Sequence, residues 1–133
     1  MKAIIDLDVM LDFLQRREPF FEDAACVMDA VLYGRVRGVL AAHAVTTLHY
    51  FLTRGAEKCR TEEVIGWLLE VFDVAPCTKE VLLAAGGLDM ADYEDAVTAV
   101  CAQRAACSHI VTRNLSARLL LYQRTWTSRC KPC

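Results

Sequence analysis

The stretch KAIIDLDVMLDFL, residues 2–14, decides the fold. It starts with a short apolar run, residues 3–5, which predicts a strand buried on both faces, as in a parallel sheet. Two acids, Asp6 and Asp8, follow one residue apart, and a helical apolar pattern occupies residues 9–15. Asp6 would therefore lie at the carboxyl end of the strand, where open α/β sheets place their ligand sites. The alternative for Asp8 is that it only caps the next helix.

The rest of the chain alternates between strand and helix patterns. Apolar runs predict three more strands, and apolar residues at helical spacing predict helices between them. Thr61 and Thr78 are placed to cap two of these helices. Such alternation is typical of one α/β domain with a parallel sheet. The predicted strands are 36–42, 71–75 and 109–112, and the predicted later helices are 19–32, 45–54, 61–69, 78–86 and 92–104.

Composition is that of a compact folded chain. A chain of 133 residues that is 55% hydrophobic is expected to form one domain. Its net charge of −2 gives no overall basic field, which argues weakly against a nucleic-acid partner. There is no apolar run of about 18 residues and no basic leader, so we expect a cytoplasmic location and no membrane partner. Cys130 and Cys133 form a C-x-x-C pair, which alone is weak evidence for a metal or redox site. The other cysteines are expected to be small buried hydrophobic residues in a reducing compartment: Cys26, Cys59, Cys77, Cys101 and Cys107.

A second acidic group opens the predicted helix at residues 92–104. Asp92 and Asp95 share one helical face with a stripe of alanines at 96, 99 and 102, which would pack closely against a sheet. Capping and the helix dipole explain Asp92 well. They explain an acid on the packed face poorly, so a functional role is favoured for Asp95.

The third polar group follows the last predicted strand, in the sequence IVTRN, residues 110–114. Thr112 and Asn114 could hydrogen-bond a carboxylate or a phosphate, and Arg113 could pair with a phosphate. The alternative is a strand that simply ends in a turn-forming Asn. Acids gathered at one sheet edge would suit Mg²⁺ or Mn²⁺, which bind through carboxylate oxygens and substrate phosphates.

Together, IIDLDVMLDFL, DYEDAV and IVTRN resemble the PIN-domain nucleases, specifically the bacterial toxin-like (VapC-like) branch found in toxin–antitoxin modules. The likeness spans residues 1–116. It implies a three-layer α/β/α sandwich with a parallel sheet of four to five strands, and Mg²⁺- or Mn²⁺-dependent cleavage of RNA. Asp6 matches the first acid, Asp95 the later helix acid and Asp92 its companion, while Asp8 stands where the family has Asn or Asp. The implied partners are an RNA substrate and a small antitoxin protein, with a homodimer left open.

The sequence departs from this family at two places. His49 stands where many members have a Glu on the helix after the second strand, with Thr46 before it, so both are candidates for supporting roles. Ala117 and Arg118 replace the acid and Phe that usually follow TRN, so the fourth acid is missing. The tail, residues 117–133, is atypical, and a frameshifted or truncated gene end with a poorly ordered tail is one explanation.

Two other functions compete with the nuclease. A PIN scaffold that has lost its fourth acid could bind RNA or protein without cutting it. DLDVM could also be a D-x-D phosphohydrolase motif, with Asp6 as nucleophile and Asp8 as acid and base, but the late acidic pair of that class is absent. His43 and His109 have no acidic neighbours in the sequence and are expected to be structural.

Overall fold

The computed structural model describes residues 1–55 and 57–114. Four strands and six helices occupy this part of the chain, none of the helices long and apolar enough to cross a membrane. In chain order they are β1 (Lys2–Ile5), α1 (Leu7–Leu14), α2 (Phe21–Leu32), β2 (Arg37–Ala41), α3 (Ala42–Thr53), α4 (Lys58–Val71), β3 (Asp73–Ala75), α5 (Lys79–Gly86), α6 (Tyr93–Arg104) and β4 (His109–Val111).

The four strands form one parallel sheet in the order β3-β2-β1-β4. In β1, Ile4 lies opposite Val39 of β2 on one side and Ile110 of β4 on the other. Val39 in turn lies opposite Asp73 of β3. Because all strands run the same way, their carboxyl ends share one edge of the sheet, and Asp6 follows β1 at that edge.

Helices cover both faces of the sheet, as the alternating side chains of the strands require. Ile5 of β1 belongs to a core that includes Met10 of α1 and Met28 of α2. Its neighbour Ile4 points the other way, into a core that includes Val81 of α5 and Val97 of α6. The predicted α/β/α sandwich with a parallel sheet is therefore confirmed, with four strands in the described residues.

Several local predictions differ from the structure. Thr61 does not cap α4, which begins three residues earlier, and its hydroxyl instead lies inside the helix and donates to the Glu57 carbonyl at 3.4 Å. Thr78 does cap α5, because its side chain accepts from the Val81 N–H at 3.3 Å. The expectation of five buried cysteines holds for Cys101 and Cys107, whereas Cys59 is exposed and Cys26 and Cys77 are only half-buried. The C-x-x-C pair lies outside the described residues.

Gly38 in β2 is a position where side-chain size decides stability. A Cβ there would lie 2.5 Å from Cε1 of Phe72 and 3.0 Å from Cγ1 of Val31. We expect Gly38→Ala to lower the free energy of unfolding by about 1–3 kcal/mol, the usual range for overpacking a core. Urea denaturation measures this change. The matched control is Gly66→Ala in α4, where an added Cβ meets nothing within 4 Å and helix propensity predicts a gain of up to about 1 kcal/mol. Equal responses of the two variants would contradict the packing argument.

Candidate active site

Asp6 is a buried carboxylate at the carboxyl edge of the sheet. It occupies the N-cap position of α1, but its side chain caps nothing, and Asp8 lies inside the first turn rather than capping the helix. Instead, Asp6 Oδ2 accepts a hydrogen bond of 2.7 Å from the Thr112 hydroxyl. The side chain is 8% exposed. Burial raises the pKa of Asp6, the Thr112 hydrogen bond opposes that rise, and repulsion from Asp95 and Asp8 adds to it.

The acids of α6 are fixed by the way in which that helix begins. Asp92 is its N-cap and accepts from the N–H groups of Glu94 at 2.8 Å and Asp95 at 3.3 Å, so the capping interpretation of Asp92 is confirmed. Asp95 is half-buried, and its Oδ2 accepts from Asn114 Nδ2 at 2.6 Å. Burial raises the pKa of Asp95, repulsion from Asp92 adds to the rise, and the hydrogen bond from Asn114 opposes it. Past Asp95, every residue from 96 to 102 is buried, so this end of α6 is anchored in the core.

The end of β4 links the two acids. The Thr112 hydroxyl that donates to Asp6 also accepts from the Asn114 N–H at 3.0 Å, and Asn114 holds Asp95. Asp6, Thr112, Asn114 and Asp95 therefore form one continuous chain of hydrogen bonds. The three sequence motifs meet at one edge of the sheet, and Thr112 and Asn114 lie where they can orient both carboxylates.

Glu94 is a member of this group to which the sequence analysis gave no role. Burial raises its pKa first, followed by repulsion from Asp6, Asp92, Asp95 and Asp8. These five residues are called the acidic cluster below. Glu94 does not lie on the face of α6 that carries the alanines, so the helical spacing used for Asp92 and Asp95 did not single it out. Its closeness to Asp6 follows from how α6 packs beside β1 in the folded protein.

His43 is the second residue missed, and it also lies at this edge. It lies in the first turn of α3, which follows β2 directly, and its Nε2 is 3.8 Å from Glu94 Oε1. Both ring nitrogens are shut off from solvent and have no hydrogen-bond partner among the described residues. Burial lowers the pKa of His43, which favours the neutral imidazole. His43 has no acidic neighbour along the sequence, as expected, but in the folded protein Glu94 lies beside it. Its position just after the carboxyl end of β2 could have identified it as a residue of this edge.

The other two candidates on α3, Thr46 and His49, make their recorded hydrogen bonds within their own helix. The Thr46 hydroxyl donates to the His43 carbonyl at 2.8 Å. The His49 carbonyl accepts from the Thr53 hydroxyl at 2.7 Å, and its Nδ1 lies 3.5 Å from the same oxygen. Their supporting roles stay predictions.

Arg113 is held by acids of α1. Its Nη1 contacts both carboxylate oxygens of Asp12, at 3.1 and 3.3 Å, and its Nη2 lies 3.3 Å from Asp8 Oδ1. The guanidinium also stacks over the Phe20 ring, 4.8 Å from its centroid. Asp12 is a buried partner that the sequence analysis missed, although its spacing of four from Asp8 places both acids on one helical face. Phosphate binding by Arg113 stays a prediction.

The side-chain donors at this edge of the sheet fit a divalent cation in their chemistry but not in their present arrangement. Within residues 1–55 and 57–114, no three His, Cys, Asp or Glu side chains converge closely enough to form a ready metal site. The chemistry of the donors nevertheless fits a divalent cation. Burial first, and repulsion between the acids second, raise the pKa of Asp6, Glu94 and Asp95, and a cation would relieve the repulsion. Carboxylate oxygens are also the ligands that Mg²⁺ and Mn²⁺ take in proteins.

Comparisons with known proteins agree with this geometry. No curated protein matches the chain by sequence. The structure of VapBC2 from Rickettsia felis, bound to a DNA fragment from their promoter, matches with a TM-score of 0.67 and 12% identity over 96% of this chain and 100% of that chain. FitAB bound to an IR36 DNA fragment matches with a TM-score of 0.66 and 16% identity over 93% of each chain. FitAcB from Neisseria gonorrhoeae matches with a TM-score of 0.64 and 16% identity over 94% of this chain and 96% of that chain. At these identities the likeness shows the fold.

The family itself is shown by sequence. A sequence model of the PIN domain matches residues 2–116, a range that contains all three motifs. The resemblance expected from those motifs is thereby confirmed. The parallel sandwich and the acids that meet at the carboxyl edge of its sheet agree with this match, and the chain belongs to the PIN domain family.

Proposed function

We propose that this protein is a divalent-metal-dependent ribonuclease, acting as the toxin of a toxin–antitoxin pair. The observation that supports it most is the hydrogen-bonded chain from Asp6 through Thr112 and Asn114 to Asp95. It holds two carboxylates of raised pKa at the edge where α/β folds bind their ligands. A general structural role would not require one short segment to hold two acids from different elements.

Each residue has a distinct task in this mechanism. Asp6 and Asp95 would hold Mg²⁺ or Mn²⁺, with Asp92 and Asp8 as ligands directly or through water. A bound divalent cation supplies charge neutralisation at the phosphodiester and an activated water for its hydrolysis. Thr112 and Asn114 keep the two principal carboxylates in fixed orientations, as hydrogen-bonding neighbours of metal ligands do. Arg113, beside Asp8, would contact a substrate phosphate.

The proposed partners follow from the same resemblance. The VapBC2 and FitAB structures hold DNA fragments. For this chain we propose a small antitoxin protein as partner and single-stranded RNA as substrate. The proposed location is the cytoplasm, and the oligomeric state is left open between a monomer and a homodimer. Membership of the PIN domain family favours this function over the D-x-D phosphohydrolase alternative.

A scaffold that binds RNA without cutting it is the second candidate. The observation that favours it is the sequence after IVTRN, where Ala117 and Arg118 replace the expected acid and Phe. In addition, Arg113 already pairs with Asp8, which reduces the negative charge available to a cation. The two candidates predict different results in one cleavage experiment.

That experiment compares the protein with its Asp95→Asn variant on single-stranded RNA in Mg²⁺ or Mn²⁺, with and without EDTA. We expect EDTA to stop cleavage and Asp95→Asn to slow it by at least about 100-fold, since even outer-shell changes weaken metal sites by about 10–100-fold. Asparagine keeps an oxygen that can accept from Asn114. The control is Glu63→Gln, an exposed position of α4 outside the acidic cluster, which should cleave at the original rate. Cleavage that persists in EDTA would refute the metal mechanism, and metal and RNA binding without cleavage would favour the scaffold.

A further inference from the structure

Two cysteines from different parts of the chain lie side by side, and the mechanism above uses neither of them. Cys77 follows β3 and Pro76, and Cys101 lies in the second half of α6. The Cys101 thiol donates to the Pro76 carbonyl at 3.8 Å, which places it against the residue that precedes Cys77. The two thiols are also within hydrogen-bonding reach of each other. Both side chains belong to the core between the sheet and the helices α5 and α6.

The two thiols differ in access and in reactivity. Cys101 is 1% exposed, and burial, together with its contact with Cys77, raises the pKa of its thiol to about 11. The thiolate is the reactive form of cysteine, so Cys101 reacts poorly with molecules from solution. Cys77 is only half-buried, which leaves it open to a small molecule. An oxidant would therefore meet Cys77 first, with Cys101 already beside it as the second thiol.

We propose that Cys77 and Cys101 form a reversible disulfide when the protein meets hydrogen peroxide. The Cys77 thiolate attacks one peroxide oxygen and the O–O bond breaks, which gives the Cys77 sulfenic acid and, with the proton of the thiol, one water. The Cys101 sulfur then attacks the Cys77 sulfur, the S–O bond breaks, and a second water leaves with the Cys101 proton. Each sulfur has lost one electron, and the peroxide has been reduced to two waters. A dithiol reverses the reaction by disulfide exchange.

Such a bond ties α6 to the connection between β3 and α5. Because α6 carries Asp92 at its N-cap and Asp95 in its first turn, the bond restrains the helix of two proposed site acids. A disulfide also restricts the unfolded chain, which stabilises the folded one. In a reducing compartment the bond is transient, as such disulfides generally are. Metal and RNA take no part in this reaction, so its test is independent of the proposed function.

The test maps the bond in the folded protein after treatment with hydrogen peroxide. Trypsin cleavage at Arg60, Lys79 and Arg104 separates the two cysteines into peptides 61–79 and 80–104, each with one cysteine. We expect mass spectrometry to find these two peptides joined, with the loss of two hydrogen atoms, and dithiothreitol to separate them again. The melting temperature of the oxidised protein should be at least about 5 °C higher than that of the reduced protein.

Two variants separate this pair from general thiol oxidation. Cys77→Ser should abolish both the joined peptides and the gain in melting temperature. Cys59→Ser removes an exposed thiol of α4 and should change neither.

The opposite results are equally definite. Thiols that stay reduced, a Cys77 that stops at the sulfinic acid, or a bond from Cys77 to another cysteine would overturn the inference. So would an equal yield of the Cys77–Cys101 bond in protein unfolded by guanidinium chloride, because the fold would then not direct the pairing. A bond that forms without raising the melting temperature would refute the restraint on α6. If Cys77→Ser does not fold, the peptide map of the wild type, folded against unfolded, decides alone.

Discussion

Arg113→Ala should lower the free energy of unfolding by about 1–3 kcal/mol, the cost of leaving a buried acceptor without its partner. Asp12 is only 1% exposed, and Arg113 Nη1 contacts both of its carboxylate oxygens. Burial already raises the pKa of Asp12, and the Arg113 charge is the main effect opposing that rise. Without Arg113, the carboxyl group must stay buried without its partner or take up a proton. Guanidinium chloride denaturation at neutral pH measures the loss.

Two comparisons isolate the effect of burial. Arg37 forms a shorter pair with Asp73, 2.6 Å from Nε to Oδ2, but its side chain is 70% exposed. Solvent screens such a pair, so Arg37→Ala should cost less than about 1 kcal/mol. Asp12→Asn combined with Arg113→Ala removes both charges and should recover part of the stability. Equal losses at Arg113 and Arg37, or no recovery in the double variant, would refute this account.

Asp6→Asn should have opposite effects on activity and stability. Cleavage should fall by at least about 100-fold if Asp6 is a principal metal ligand as proposed, because the substitution weakens that ligand. The melting temperature at pH 7 should rise by about 2–5 °C, the shift expected for roughly 1 kcal/mol in a domain of this size. Asparagine can still accept from the Thr112 hydroxyl, while the buried charge and its repulsion of Asp95 are removed. Cleavage at the original rate would exclude Asp6 from the mechanism.

The stability gain should also depend on pH in a defined direction. The pKa of Asp6 is raised above its ordinary value of 3.8 in the folded protein, so between the two values the folded state binds more protons than the unfolded state. Wild-type stability therefore falls as pH rises through this window, and the advantage of Asp6→Asn appears above it and vanishes below pH 3.8. Melting curves from pH 3.5 to 7.5 test this, with Asp23→Asn on the exposed face of α2 as the matched control. A gain that is constant across this range would indicate an effect unrelated to charge.

The sequence predicted the framework of the site better than its details. Apolar runs located the strands because a strand buried on both faces needs no polar residue, and the acids after β1 were placed at the sheet edge by topology alone. The partners of Asp12, Glu94 and His43 could not be assigned in this way. Asp12 depends on Arg113, about a hundred residues later, and Glu94 and His43 depend on how closely α6 approaches α3. Such contacts between distant segments leave no trace in local periodicity.

The helix beginnings show the same limit at short range. Thr78 and Thr61 are the same residue type before apolar helical patterns, yet only Thr78 caps its helix. Residue 61 was misassigned because the pattern continues favourably upstream to Lys58, and nothing local fixes where the first turn starts.

Three consecutive residues after β4 contact four different acids, and these contacts can form only late in synthesis of the chain. Thr112 binds Asp6, Arg113 binds Asp8 and Asp12, and Asn114 binds Asp95. A ribosome delivers this segment after nearly everything else in the domain, and within residues 1–55 and 57–114 β4 pairs with β1 alone. A nascent chain therefore carries its acids long before anything orients them. If the protein cuts RNA as proposed, it stays harmless to the ribosome that makes it until synthesis of the domain is almost complete.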